Sequence, residues 1–96
     1  MQLPAPFGKY ELLERIATGG MAEVFLARSF GLAGFEKRCV LKRLRPELAE
    51  DPRFVQMFIN EAKLGVHLNH SNIVQVYELG RVGPTHYMAM EHLHGR

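Results

Sequence analysis

Apolar and polar positions alternate with a period of two over most of this chain and switch once to a helical period. Residues 9–18, KYELLERIAT, alternate loosely, and residues 22–28, AEVFLAR, do so more strictly. Residues 38–44, RCVLKRL, form a third run rich in apolar side chains. Val74 to Arg81 and Thr85 to His92 are two more, joined by the turn residues VGPT. Runs of this kind bounded by glycine and proline predict β-strands. The opening MQLPAPFG, with two prolines and a glycine, reads as an extended lead-in over residues 1–9. The expectation is a five-stranded antiparallel sheet with one helix between its third and fourth strands, an α+β arrangement over residues 10–96.

The helix is predicted from Arg53 to Leu68. Asp51 followed by Pro52 is a start signal: the carboxylate accepts from the free N–H groups of the first turn, and proline lacks a donor where none is needed. At about 100° per residue, Arg53, Gln56, Asn60, Lys63 and His67 share a polar arc. Phe54, Val55, Met57, Phe58, Ile59, Ala62 and Leu68 share the opposite one. Glu61 projects into the apolar seam formed by Phe54, Phe58, Gly65 and Leu68. A carboxylate buried there needs a cation. In CVLK, alternation places Val40 and Lys42 on one strand face and Cys39 and Leu41 on the other, so a Lys42–Glu61 pair follows if the helix packs on the first face.

Gly19 and Gly20 separate the first two strands. A hairpin turn explains them, because glycine tolerates φ > 0. So does a loop that brings its backbone close to phosphate groups, where a Cβ would obstruct approach. A dinucleotide-binding turn needs a helix straight after the glycines, and VFLARS is strand-like. A Walker A loop needs Gly-Lys followed by Ser or Thr, and none occurs.

Composition narrows the class. The chain has 96 residues, enough for one small domain or part of one, and its 47% hydrophobic and 23% charged residues exclude disorder. A net charge of +2 is too small to point to nucleic acid or a membrane surface. The Lys42, Arg43 and Arg45 cluster has no interleaved aromatic residues, which also argues against nucleic acid. A single cysteine, Cys39, allows no internal disulfide, and without a signal peptide a cytoplasmic location is expected. No apolar run is long enough for a membrane span. The histidines at 67, 70, 86, 92 and 94 include spacings used by zinc sites, but no cysteine joins them, and no metal site is expected.

From about Tyr10 to Gly95 the chain resembles the N-terminal lobe of bacterial eukaryotic-like (Hanks-type) serine/threonine protein kinases. The glycine-rich loop of that family, G-x-G-x-x-G-x-V, aligns with Ala17-Thr18-Gly19-Gly20-Met21-Ala22-Glu23-Val24. Its V-A-I-K strand aligns with Cys39-Val40-Leu41-Lys42, and Glu61 falls where its helix C glutamate lies. HSNIVQVYELG resembles the stretch into the next strand, and YMAMEHLHG the last strand and hinge, with Met90 as gatekeeper.

The resemblance implies ATP as ligand. Loop residues Ala17 to Ala22 would cover the phosphates, through Thr18, Gly19, Gly20 and Met21. Lys42 would hold the α- and β-phosphates and be held by Glu61. Ile16, Val24 and Val40 would form the ceiling over adenine, and the hinge would read its edge through the Glu91 carbonyl and the Leu93 N–H. Ala17 and Ala22 stand where the family has its first and third glycines, and two methyl groups there would stiffen the loop or hold it off the phosphates. Gly65 replaces a larger apolar side chain. The family's catalytic base and magnesium ligand are aspartates of its C-terminal lobe. The single aspartate of this chain is Asp51, at the helix start. The resemblance therefore implies an ATP-binding N-lobe with start of hinge, inactive by itself, whose magnesium ligands and protein-substrate platform lie in the absent C-lobe. The alternative is a non-catalytic module that docks a C-lobe or another protein on its lower face, around Leu68 and Leu93.

Overall fold

The computed structural model describes residues 2–30, 34–67 and 76–92, with the backbone alone for residues 64–67. Among these residues, six strands and one α-helix follow in the order β1 (Ala5–Phe7), β2 (Tyr10–Thr18), β3 (Ala22–Phe30), β4 (Glu36–Leu44), α1 (Pro52–His67), β5 (Val76–Val82) and β6 (Thr85–Glu91). A short 3-10 turn, Pro46–Leu48, links β4 to α1. All pairings are antiparallel, and the strands lie in the order β1-β2-β3-β4-β6-β5.

The sheet has one strand more than the sequence predicts. Ala5–Phe7, read as lead-in, pairs with Leu12 to Tyr10 through the turn at Gly8 and Lys9. Proline is tolerated on an edge strand, because its missing N–H faces away from the ladder. Gly8 has φ of +59°, and a Cβ there would stand 2.7 Å from Val82 Cγ2 on the far edge of the sheet. The sheet is thus curled until its two edges meet.

The enclosed face holds the larger core: Phe7, Tyr10, Leu12, Phe25, Ala27, Cys39, Leu41, Tyr87 and Ala89. Phe7 and Tyr10 each set a ring edge-on to Tyr87, with centroids 5.5 and 5.6 Å apart. Glu78 of β5 closes the seam. Its carboxylate accepts from the Tyr10 hydroxyl, from the Tyr87 hydroxyl at 2.9 Å and from Lys9 Nζ at 3.1 Å. The Tyr10 hydrogen bond, with those of Lys9 and Tyr87, holds Glu78 below the usual carboxylate range. Burial and the same carboxylate push Tyr10 upward and raise Tyr87 to about 12.

Helix α1 packs on the outer face of the sheet. Phe58 and Ala62 join Ala22, Leu44 and Met88 in a second core, flanked by Met21, Leu48, Phe54, Val55, Val76 and Met90. The helix starts where the sequence places it: the Arg53 N–H donates to Asp51 Oδ1 at 2.9 Å, and the Val55 N–H to the Asp51 carbonyl at 3.0 Å. The Arg53 hydrogen bonds lower the Asp51 pKa. No helix among the described residues is long and apolar enough to cross a membrane.

Candidate functional site

The hairpin of β2 and β3, β4 at Lys42 and α1 from Phe54 to Glu61 border a cleft of about 670 Å³. Its lining is Ala17, Thr18, Gly19, Gly20, Met21, Ala22 and Val24 from the hairpin, Lys42 from β4, and Phe54, Met57 and Glu61 from α1. Strand alternation turns Lys42 toward the helix while Cys39 and Leu41 fill the enclosed core, as the sequence predicts. Lys42 Nζ pairs with Glu61 Oε1 across the cleft.

Glu61 departs from expectation in one respect. Its side chain is 49% exposed, against 25% for Lys42. The helix buries Phe58 and Ala62, and this rotation leaves Glu61 on the flank that borders the cleft. The pair is open to solvent rather than sealed in an apolar seam.

The loop is short and tied at both ends. The Gly19 N–H donates to the Ala22 carbonyl at 2.8 Å, and the Arg45 N–H to the Met21 carbonyl at 2.9 Å. Among the glycines of positive φ are Gly8, Gly34 and Gly83, and neither Gly19 nor Gly20 is one of them. A Cβ built on Gly20 would meet no protein atom within 4 Å, and one on Gly19 only the Ala22 carbonyl at 3.7 Å. Neither backbone strain nor packing within the lobe requires glycine at these two positions. The loop is a tight hairpin turn closed by the Gly19–Ala22 bond, but one that asks for positive φ at neither glycine. The two alanines differ from each other: Ala22 is 4% exposed and its methyl belongs to the second core, whereas Ala17 is exposed.

Ile16, Val40, Met90 and Glu91 are not among the residues that line the cleft. Val40 is two residues from Lys42 on the same strand face and pairs with Met90, while Cys39 pairs with Glu91. Ile16 is 53% exposed, in a bulge of β2 between Arg15 and Ala17. Leu93 and Leu68 lie outside the described residues, as does any side-chain environment of Gly65.

Sequence reasoning missed two contributors to the cleft. Helical periodicity places Phe54 and Met57 on the apolar arc, yet they border the cleft and Met57 is 52% exposed. It also missed Glu23, the one charged residue buried among those described. The signal was available, since Glu23 shares strand parity with Phe25 and Ala27.

No family model matches the chain. Direct comparison does find relatives. The chain is 49% identical over 90 residues to the tyrosine-protein kinase MasK of Myxococcus xanthus, covering 94% of this chain and 14% of that protein. It is 38% identical over 88 residues to the serine/threonine-protein kinase PrkC of Bacillus subtilis, covering 92% and 13%. It is 42% identical over 91 residues to the serine/threonine-protein kinase PknB of Mycobacterium tuberculosis, covering 91% and 14%. Among solved structures, the PknI kinase domain of Mycobacterium tuberculosis matches with a TM-score of 0.68 at 26% identity, covering 97% of this chain and 36% of that one. The chain is a bacterial Hanks-type kinase N-lobe.

In this kinase N-lobe, β2 and β3 carry the glycine-rich hairpin, β4 the lysine strand, and α1 is helix C. The expected fold class holds, with six strands in place of five. The lobe spans about one seventh of the length of the curated relatives, 14% for MasK and 13% for PrkC.

Proposed function

We propose that this lobe binds ATP in the cleft between the glycine loop and α1, as the nucleotide-holding part of a kinase that phosphorylates protein serine or threonine. The observation that carries the reading is the pair of glycines that the fold does not need, placed above the Lys42–Glu61 pair. The Gly19 N–H is engaged with the Ala22 carbonyl, and the absence of side chains at 19 and 20 lets the rest of the loop backbone come close to an anion. Lys42 adds a fixed positive charge on the opposite wall, and Glu61 orients it.

The residues present suit a nucleoside triphosphate. Loop amides and Lys42 would hold the phosphates, and the apolar positions Ile16, Val24, Val40 and Met90 would take the base, with Glu91 and Leu93 offering backbone groups to its edge. ATP supplies the phosphoryl group and magnesium offsets its charge, and in this reading the metal's ligands belong to a C-lobe. Positioning and charge neutralisation are what such a lobe contributes to phosphoryl transfer. A protein substrate would meet the C-lobe, and a cytoplasmic location follows from ATP as ligand. The names of the relatives divide between serine/threonine and tyrosine kinases. We assign serine/threonine on the resemblance to PrkC and PknB.

Titration of the purified chain with a fluorescent ATP analogue, then displacement by ATP, tests the reading. Weak, saturable binding that is lost in Lys42→Met is expected. Binding that survives Lys42→Met unchanged would overturn it and favour a docking module.

A further inference from the structure

The glycine loop is held from behind by a single carboxylate. Glu23 lies between Ala22 and Val24, which line the cleft, and is itself 9% exposed on the opposite face of the sheet. It accepts hydrogen bonds from Arg15 Nη2 of β2 at 3.1 Å and from Arg43 Nε of β4 at 3.0 Å. Arg15 borders the bulge at Ile16, and Arg43 directly follows Lys42. One side chain thus ties three strands together at the points where each enters the cleft.

The surroundings make this tie stiff. The Arg43 guanidinium lies 4.9 Å from the ring centroid of Phe25 and 5.4 Å from that of Phe7, and Arg15 lies 5.6 Å from that of Phe25. The Arg43–Glu23 arm is nearly dry, both side chains being 12% exposed, while the Arg15 side chain is 45% exposed; charge-assisted hydrogen bonds of this kind are directional. An apolar residue at position 23 could match their contribution to stability, but it would set no angle between the strands. A bulge also decides how the residues after it leave the sheet. With Arg15 pinned on one side of the bulge, the path of Ala17 and Thr18 into the loop is set by the same carboxylate. The loop is also fastened by the two backbone bonds at Gly19 and Arg45 and by Ala22 and Met21 in the second core.

We propose that Glu23 is a positioning residue: by joining Arg15 to Arg43 it fixes the height of the loop over Lys42, and with it the fit to the phosphates of the nucleotide. For its ligand the inference rests on the ATP-binding reading above. The loop geometry it describes can be measured without any ligand.

The test compares the wild-type chain with Glu23→Gln and with Arg15→Met, which removes only the more exposed arm. Amide hydrogen exchange is followed at Gly19 and Arg45, and the affinities for ATP and adenosine are measured by displacing a fluorescent nucleotide. In Glu23→Gln, exchange at Gly19 and Arg45 should accelerate about tenfold or more while the amides of α1 stay as protected as before. ATP affinity should fall about tenfold and adenosine affinity by less than about twofold, since only the phosphates meet the loop. Unchanged exchange at both amides overturns the proposal. So does a parallel loss of ATP and adenosine, which is the mark of a merely structural role. A wild-type chain that binds neither ligand removes the ATP reading instead, and the exchange data then decide alone whether Glu23 sets the loop. If Glu23→Gln does not fold, Arg15→Met carries the same expectations at smaller size.

Discussion

Replacing Glu61 with alanine separates the two roles that its pair with Lys42 can have. Had the carboxylate been sealed among apolar residues, its removal would strand a buried ammonium and cost about 3–5 kcal/mol. The structure places it in another regime: its side chain is 49% exposed and that of Lys42 is 25% exposed. Exposed pairs contribute about 0.2–1 kcal/mol, because water screens them and two long side chains must be held in place. For a domain of this size, 1 kcal/mol moves the melting temperature by about 4–8 °C. A melting shift of no more than about 8 °C is therefore expected by circular dichroism. The effect on ligand should be larger. Without Glu61, Lys42 keeps its charge but loses its orientation, so ATP affinity should fall about tenfold, equivalent to 1.4 kcal/mol. A melting shift above about 12 °C would show that the pair is buried after all. Unchanged melting together with unchanged affinity would show that the two side chains do not act as a pair.

Three further perturbations follow from the same structure. Gly20→Ala should leave stability level or raise it by up to about 1 kcal/mol, since nothing in the protein opposes the methyl, while ATP affinity falls; a destabilised variant with intact affinity would make the glycine structural. Phe58→Ala removes a fully buried ring that joins α1 to the sheet and should cost about 3–5 kcal/mol in denaturant unfolding, with a cost below about 1 kcal/mol refuting the packing. Glu78 is held below its ordinary pKa by Tyr10, Lys9 and Tyr87, so its contribution is complete above the unfolded carboxylate pKa of 4.5 and is lost as pH falls through the lower folded value. Melting curves should therefore weaken as pH falls below about 4.5, with a shallower slope in Glu78→Gln, and equal slopes would remove Glu78 from the acid limb.

Local order was legible in the chain because it depends on near neighbours. Alternation alone assigned Cys39 and Leu41 to one face of β4 and Lys42 to the other, and Asp51-Pro52 marked the helix start, where the Asp51 carboxylate caps the Arg53 N–H. From there the order and spacing of loop, lysine and glutamate led to the kinase N-lobe. What the chain could not disclose depends on groups far apart in sequence. The pairing of Ala5–Phe7 is favoured by a sheet curled enough to bring Lys9 and Tyr10 to Glu78, some 69 and 68 residues away. Helical periodicity placed Glu61 among apolar residues, but only the docking of Phe58 and Ala62 on the sheet set the rotation that leaves its carboxylate at the cleft. The same holds for the methyl of Ala22, which the second core takes in, and for Glu23, whose two arginines come from neighbouring strands. Periodicity tells which residues share a face; which faces meet, and how far each is turned from water, is decided by packing between elements that the local pattern does not encode.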